Sequence, residues 1–191
     1  MQILMHICCG PCAVYPLQQL RRHGHEVVGF FYNPNIHPFQ EFRRRLEAVE
    51  QFGAHTGTPI EIDPHYGLIE FLQMVVFHEQ ERCARCSMLR LRHTVQTAAA
   101  RGIEAFSTTL LYSKYQNHQL LIDQGEQLAR EYGVRFYYED FRLGWQQGRE
   151  ESIRMGLYRQ PYCGCIYSEQ ERYDKQFRQP HKPRPLIPNS N

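Results

Sequence analysis

Short apolar runs alternate with helical stripes along this chain, and that alternation constrains the fold more than any other feature. Residues 3–7, 27–32, 60–62, 105–111 and 134–138 read as strands. Between them apolar side chains recur at helical spacing: Phe42, Leu46, Val49 and Phe52, then Leu91, Val95, Ala98 and Ala99, then Leu121, Leu128 and Tyr132. Strand and helix by turns predict an α/β fold, a mostly parallel Rossmann-like sheet with helices on both faces and its function at the carboxyl ends of the strands. Gly24, Gly53, Gly102 and Gly133 each follow a helical stripe and precede a strand, where a left-handed helix end favours glycine.

At 191 residues the chain suits one domain that closes its own core without disulfide staples. That domain is expected over residues 1–176. Residues 177–191 form a proline-rich basic tail: from Lys175 through Arg178, Lys182 and Arg184 there is no acid, and Pro180, Pro183, Pro185 and Pro188 keep it extended. It is either a solvated terminus or an arm for phosphates. A net charge of +2 does not by itself imply a nucleic-acid partner. No apolar run near the start has the length of a signal peptide or a membrane span, so a reducing cytoplasm and no membrane are the expectation. In that compartment the seven cysteines are ligands or redox groups before they are staples.

The cysteines fall into three groups, each expected in a loop: Cys8, Cys9 and Cys12; Cys83 and Cys86; Cys163 and Cys165. Cys9-Gly10-Pro11-Cys12 is the thioredoxin tetrapeptide, but a dithiol reading leaves five cysteines unexplained. Neighbouring strand residues face opposite ways, so Cys8 and Cys9 can share a site only if the strand ends near Ile7. Cys12 then stands at a helix start, where the dipole favours thiolate. In "ERCARC", Cys83 and Cys86 are spaced for one metal centre, with Arg82 and Arg85 beside them as phosphate contacts and Ser87 as a cap for the next helix; a zinc knuckle or two inert thiols fit that pair alone equally. Cys163 and Cys165, one residue apart, suit a strained, labile disulfide or two metal ligands. Four soft thiolates serve an iron-sulfur cluster or zinc, and three remain for a second centre, a metal or a dithiol.

The stretches "HICCGPC", "FFYNPNIHP", "ERCARC" with "RLR", "STTLLYSKYQNH", "YYEDFR" and "YRQPYCGCIYSEQER", in this order as far as Tyr173, make the chain resemble the cobalamin-independent epoxyqueuosine reductases of the QueH type. The resemblance implies a single domain like that of the adenine-nucleotide alpha hydrolases, carrying a 4Fe-4S cluster. It implies the last step of queuosine synthesis, removal of the epoxide oxygen of epoxyqueuosine in the anticodon of tRNA. By motif, Cys8, Cys9, Cys83 and Cys86 take the cluster-ligand positions and Cys163 and Cys165 the redox-active pair. Cys12 would join that pair at a neighbouring metal site, a second, mononuclear iron. The implied partners are tRNA carrying epoxyqueuosine and an unidentified electron donor.

Asp140 and His118 are candidate proton donors, although an aspartate after a strand also serves as a cap. Tyr112, Tyr115, Asn117, Tyr158, Tyr162 and Tyr167 could hold an unstacked nucleoside or equally pack the core. Arg142 in "YYEDFR" is a further substrate contact. Asn33, Asn35 and His37 lie in a loop at the functional edge, stiffened by Pro34 and Pro38. Two rival functions remain at this point. An ATP-using tRNA sulfur transferase would need a glycine-rich pyrophosphate turn, where "CCGPC" offers one glycine and a proline without an amide. A zinc-stabilised RNA-binding module would need no chemistry.

Overall fold

The computed structural model describes residues 1–176. The central strand β1 (Gln2–His6) pairs in parallel with β2 (Glu26–Phe31) on one side and β4 (Ala105–Thr108) on the other, so that Ile3 lies opposite Val27 and Ala105. Outside these lie β3 (Ile60–Ile62) and β5 (Arg135–Phe136), giving one five-stranded parallel sheet in the order β3-β2-β1-β4-β5. Ile3, Leu4 and Met5 are wholly buried, as a strand covered on both faces requires.

The helices α1 (Gly10–Arg22) and α2 (Phe39–Thr56) pack against each other on one face; α4 (Arg82–Ala100) and α5 (His118–Tyr132) do so on the other. Three shorter helices complete the cover: α3 (Leu68–Val75) against α4, α6 (Trp145–Arg154) against α1, and α7 (Ile166–Tyr173). Among the described residues no helix is long and apolar enough to cross a membrane. The expected tail, residues 177–191, lies outside the described residues.

Several expectations need correction. The strand expected over 105–111 ends at Thr108, whose side chain accepts from the amide of Leu110 and bends the chain into a 3₁₀ turn, Thr109–Tyr112. Only Arg135 and Phe136 of 134–138 join the sheet. Gly53 lies inside α2, where a Cβ would stand 2.6 Å from Ile60 Cγ1; the left-handed helix end is Gly57, at φ +60°. Ala99 faces solvent although Leu91, Val95 and Ala98 are buried.

The strand order reverses between β1 and β4, and a crevice opens at such a point beyond the carboxyl ends of the strands. Cys8 and Cys9 stand just past the end of β1, after Ile7.

Candidate active site

The chain leaves the sheet in two steps. The amide of Ile7 still donates to Phe30 O at 2.7 Å, but that of Cys8 donates to the hydroxyl of Thr109 at 3.0 Å. Cys9, in extended backbone, then occupies the N-cap of α1. This turn gathers the three sulfurs of Cys8, Cys9 and Cys12 within 4.8 Å of one another. Cys9 Sγ and Cys12 Sγ are 2.7 Å apart, and Gln160 Nε2 donates to both, at 2.9 and 3.4 Å. Gly10 is required beneath them, because a Cβ there would stand 2.6 Å from Ala48 O. The single glycine of this turn thus serves the contact between α1 and α2.

Of the three thiols, Cys8 is the one the site favours as a thiolate. Hydrogen bonds from Cys12 and Cys9, then from Thr109, hold the Cys8 thiol well below its ordinary range. Burial pushes Cys9 up, and the bond to Cys8 pushes Cys12 up. The acidification expected at Cys12 from its place in the first turn of a helix thus falls on Cys8, where the hydrogen bonds converge.

Cys83 and Cys86 lie in the first turns of α4, not in a loop. Ser87 is inside the helix and does not cap it; its hydroxyl donates to Gln124 Oε1 at 2.7 Å and to Ala84 O at 3.0 Å. Cys86 packs with Phe71 and Val75 of α3, and Cys165 and Tyr167 lean on the same apolar cluster. Burial pushes the Cys86 thiol up to about 12, with Arg90 opposing and Cys163 and Cys165 adding to the rise. Burial likewise raises Cys83 and Cys163. All seven cysteines are free thiols.

The Cys163-Gly164-Cys165 loop is fastened from below. Arg45 donates to Cys163 O at 2.6 Å and to Tyr162 O at 3.0 Å, and its Nε bonds Glu41 at 2.8 Å. The amide of His37 donates to Gly164 O at 2.8 Å, and the Tyr162 hydroxyl donates to His37 O at 2.6 Å. A Cβ on Gly164 would stand 2.8 Å from Asn35 Nδ2. From above, Gln116 Nε2 reaches Cys163 Sγ at 3.5 Å. Asn33, Asn35 and His37 are buried beside the site: Asn33 Nδ2 donates to Ile7 O at 2.8 Å, His37 braces the loop through its backbone, and Asn35 Oδ1 and both His37 ring nitrogens have no hydrogen-bond partner among the described residues. His6 stands behind them with its pKa lowered to about 4 by burial, hence neutral. Its Nε2–H points to the carbonyl of Tyr32, which leaves Nδ1 to accept from the Thr108 hydroxyl.

Asp140, Arg142 and His118 form a separate group. Asp140 caps a 3₁₀ turn, Phe141–Gly144, and receives Arg142 Nε at 2.7 Å and NH2 at 2.6 Å. Those bonds hold its carboxyl below the usual range, so it is a carboxylate near neutral pH. Burial, then Arg142, lowers His118. None of the three hydrogen-bonds a cysteine among the described residues. Asn117 caps α5, accepting from Leu120 N at 3.1 Å.

The tyrosines divide by role. Tyr112 is buried and donates to Trp145 O at 2.8 Å, with Cys12 and Cys9 as electrostatic neighbours. Tyr158 donates to Glu41 at 2.5 Å, and Tyr167 lies beneath the guanidinium of Arg82. Tyr115 is nearly bare, at 93% exposure, and Asn117 is exposed as well. Arg82 and Arg85, expected on phosphates, are paired with Glu171 and Glu81.

Sequence reasoning missed Arg45, Arg90, Gln160, Gln116 and Thr109. Arg45 carried a signal: it falls on the core face of α2, between Phe42 and Val49, where an arginine requires a buried partner. Arg90 stands one helical turn beyond Cys86, buried, with Cys86, Cys163 and Cys8 as its electrostatic neighbours.

Comparison with known proteins agrees with this arrangement. The family model described as "Epoxyqueuosine reductase QueH" matches residues 3–171. Curated relatives of the same description include one from Dehalococcoides mccartyi, 40% identical with 91% of this chain and 96% of the relative covered. Another is from Thermotoga maritima, 36% identical over 91% and 93% of the two chains. A third, from Streptococcus pyogenes serotype M1, is 33% identical over 87% and 69%. Among solved structures, a predicted subunit of tRNA methyltransferase from Methanocaldococcus jannaschii superposes with a TM-score of 0.56 at 9% identity, covering 80% of this chain and 74% of that one, a likeness of fold alone. Five parallel strands in one sheet, a cysteine triad at its switch point and a family match running almost from end to end lead to one assignment: this chain belongs to the QueH family of epoxyqueuosine reductases.

Proposed function

We propose that this protein reduces epoxyqueuosine in the anticodon of tRNA to queuosine, in a reducing cytoplasm and at the expense of an external electron donor. The observation that carries the reading is the convergence of Cys8, Cys9 and Cys12 at the switch point, within a family match over residues 3–171. Converting the epoxide to an alkene takes two electrons and two protons and releases the oxygen as water. No single side chain stores that electron pair, so a redox cofactor or a cysteine pair must supply it.

The chemistry of the donor set suits an iron-sulfur cluster: among the described residues Cys8, Cys9 and Cys12 are gathered within 4.8 Å, a group that does not include Cys83 or Cys86. Seven free soft donors come from three segments, and two buried arginines, Arg45 and Arg90, bring positive charge to them. In this proposal Cys8, Cys9, Cys83 and Cys86 hold a 4Fe-4S cluster, which supplies single electrons and, with a second mononuclear iron if present, Lewis acidity for the departing oxygen. Cys12, Cys163 and Cys165 hold that second iron or act as a dithiol. Arg45 and the His37 amide set the Cys163-Gly164-Cys165 loop in place, and Gln160 orients Cys9 and Cys12. Asp140, as a carboxylate bound to Arg142, is better suited to fixing its loop than to giving a proton.

The test is incubation of the anaerobically reconstituted protein with epoxyqueuosine-containing tRNA and a strong reductant, followed by nucleoside mass analysis. Loss of one oxygen, dependent on iron, is expected. A protein that holds iron and sulfide yet leaves the epoxide intact with every reductant tried would refute the proposal.

A further inference from the structure

Three segments approach the cysteines in the same way: each turns one residue inward to the thiol loops and the adjacent residue outward. On α2, Arg45 holds Cys163 O while Arg44 is exposed, its guanidinium 5.9 Å over the ring of Tyr158. Before α5, Gln116 reaches Cys163 Sγ while Tyr115 stands in solvent. Before the last cysteines, Gln160 reaches Cys9 and Cys12 while Arg159 is exposed. Lys114, beside Tyr115, is held 4.2 Å from the ring of Trp145.

The outward set is thus three cations and one bare aromatic ring. Among the described residues, none of Arg44, Lys114 and Arg159 pairs with a carboxylate. The other rim is different, because Arg82 and Arg85 are already matched by Glu171 and Glu81. Cations without carboxylate partners and a bare ring, on segments that all reach the cysteine loops, are the equipment of single-stranded nucleic-acid sites, where cations take phosphates and rings stack on bases without regard to sequence.

We propose that Arg44, Lys114, Tyr115 and Arg159 form a docking collar for the single-stranded anticodon loop, with Tyr115 stacking on one base and the three cations on flanking phosphates. The inference rests on the proposed function for the identity of the RNA. Arg44, Tyr115 and Arg159 are each joined through the next residue to a cysteine loop, so a base stacked on Tyr115 lies at the rim of the loop that carries Cys163.

The test uses the full-length reconstituted protein and a fluorescent anticodon stem-loop RNA carrying unmodified guanosine at the wobble position, so that binding is read without turnover. Tyr115→Ala is expected to weaken binding by ~5- to ~150-fold, the range of one base stack. Tyr115→Phe should bind as the parent does. Arg44→Ala with Arg159→Ala should lower the slope of log affinity against log salt by about 1.4, two single-strand phosphate contacts. Arg22→Ala, at the far end of α1, is the control and should change nothing. Iron content equal to the parent's shows that the variants keep their site. Parental affinity in the collar variants, an equal loss in the control, or a parent protein that binds no RNA would each overturn the collar. If the collar variants bind RNA normally but accept electrons poorly from a protein donor, the collar is a donor surface and the inference is wrong. A collar that behaves as expected on a protein that never removes the epoxide oxygen would refute the proposed reaction and leave the collar standing.

Discussion

Replacing Arg45 by Met would remove the charged clamp under the Cys163-Gly164-Cys165 loop while keeping much of the side-chain volume. Arg45 is 1% exposed and Glu41 5%, so the pair is shielded from water. Three bonds disappear: 2.6 Å to Cys163 O, 3.0 Å to Tyr162 O and 2.8 Å to Glu41. Glu41 is left with the Tyr158 hydroxyl as its remaining partner. Breaking a buried pair from one side costs about 3–5 kcal/mol, because a buried carboxylate loses its counter-charge. For a chain of this size that is a fall of ~6 to ~20 °C in melting temperature. The assay is a thermal melt of the anaerobic holoprotein, with epoxide turnover measured in parallel. Glu41→Gln combined with Arg45→Met removes the orphaned charge, so it should recover a good part of the melting temperature. It should not recover turnover, since the carbonyls of Tyr162 and Cys163 remain unanchored. A fall below ~2 °C in the single variant, or a double variant melting as low as the single, would refute this account of Arg45.

Other predictions follow from the same geometry. Cys86→Ser should lose iron, sulfide and visible absorbance together, because a hydroxyl is a poor ligand for a soft metal centre; metal analysis after anaerobic purification checks it. Cys163→Ser should keep most of the cluster absorbance and lose turnover; loss of the cluster instead would make Cys163 one of its ligands. His37 is buried with its pKa lowered to about 4, so it is neutral in the folded chain. As pH falls from about 6.5 towards about 4, the unfolded chain takes up a proton that the folded chain refuses, and stability is lost across that window, by at most about 3 kcal/mol. His37→Phe keeps ring contacts with Tyr66 and Phe71 and should flatten that part of the pH-stability profile.

The sheet was readable because a central parallel strand must be apolar on both faces, and residues 3–7 have no polar position except His6. His6 is tolerated because it is neutral and its ring nitrogens face Thr108 and Tyr32. Strand ends were less readable. The chain after Thr108 stays buried through Leu111, and burial cannot distinguish a strand from a 3₁₀ turn; the deciding bond, Thr108 to the Leu110 amide, is local side-chain chemistry. Gly53 and Gly57 illustrate the same limit. Both are glycines near a helix end, and only the packed position of Ile60 shows that one is needed for contact and the other for its left-handed backbone.

The cysteine groups were visible in the sequence as spacings, but the elements that bring them together were not. Helices α3 and α7 are short, and α3 does its work by packing Phe71 and Val75 against Cys86 while Cys165 and Tyr167, at the start of α7, close the same cluster. Nothing in the spacing of Cys83 and Cys86 requires that contact. The charge of the site was hidden for a different reason: arginine is expected at the surface, and Arg45 and Arg90 resemble any helical arginine until the face of the helix is known. Once it is known, they differ. Arg45 has Glu41 as a neutralising partner and spends its remaining donors on backbone carbonyls, so it acts as a brace. Arg90 donates to Cys86 O and has thiols from all three cysteine groups around it, but no carboxylate bonded to it among the described residues. Beyond that bond, a buried cation in this position is stabilised further as the sulfurs around it carry negative charge, which is the state that metal-bound thiolates provide. Arg45 therefore fixes where the last cysteines stand, while Arg90 favours the thiolate form of the cysteines it faces.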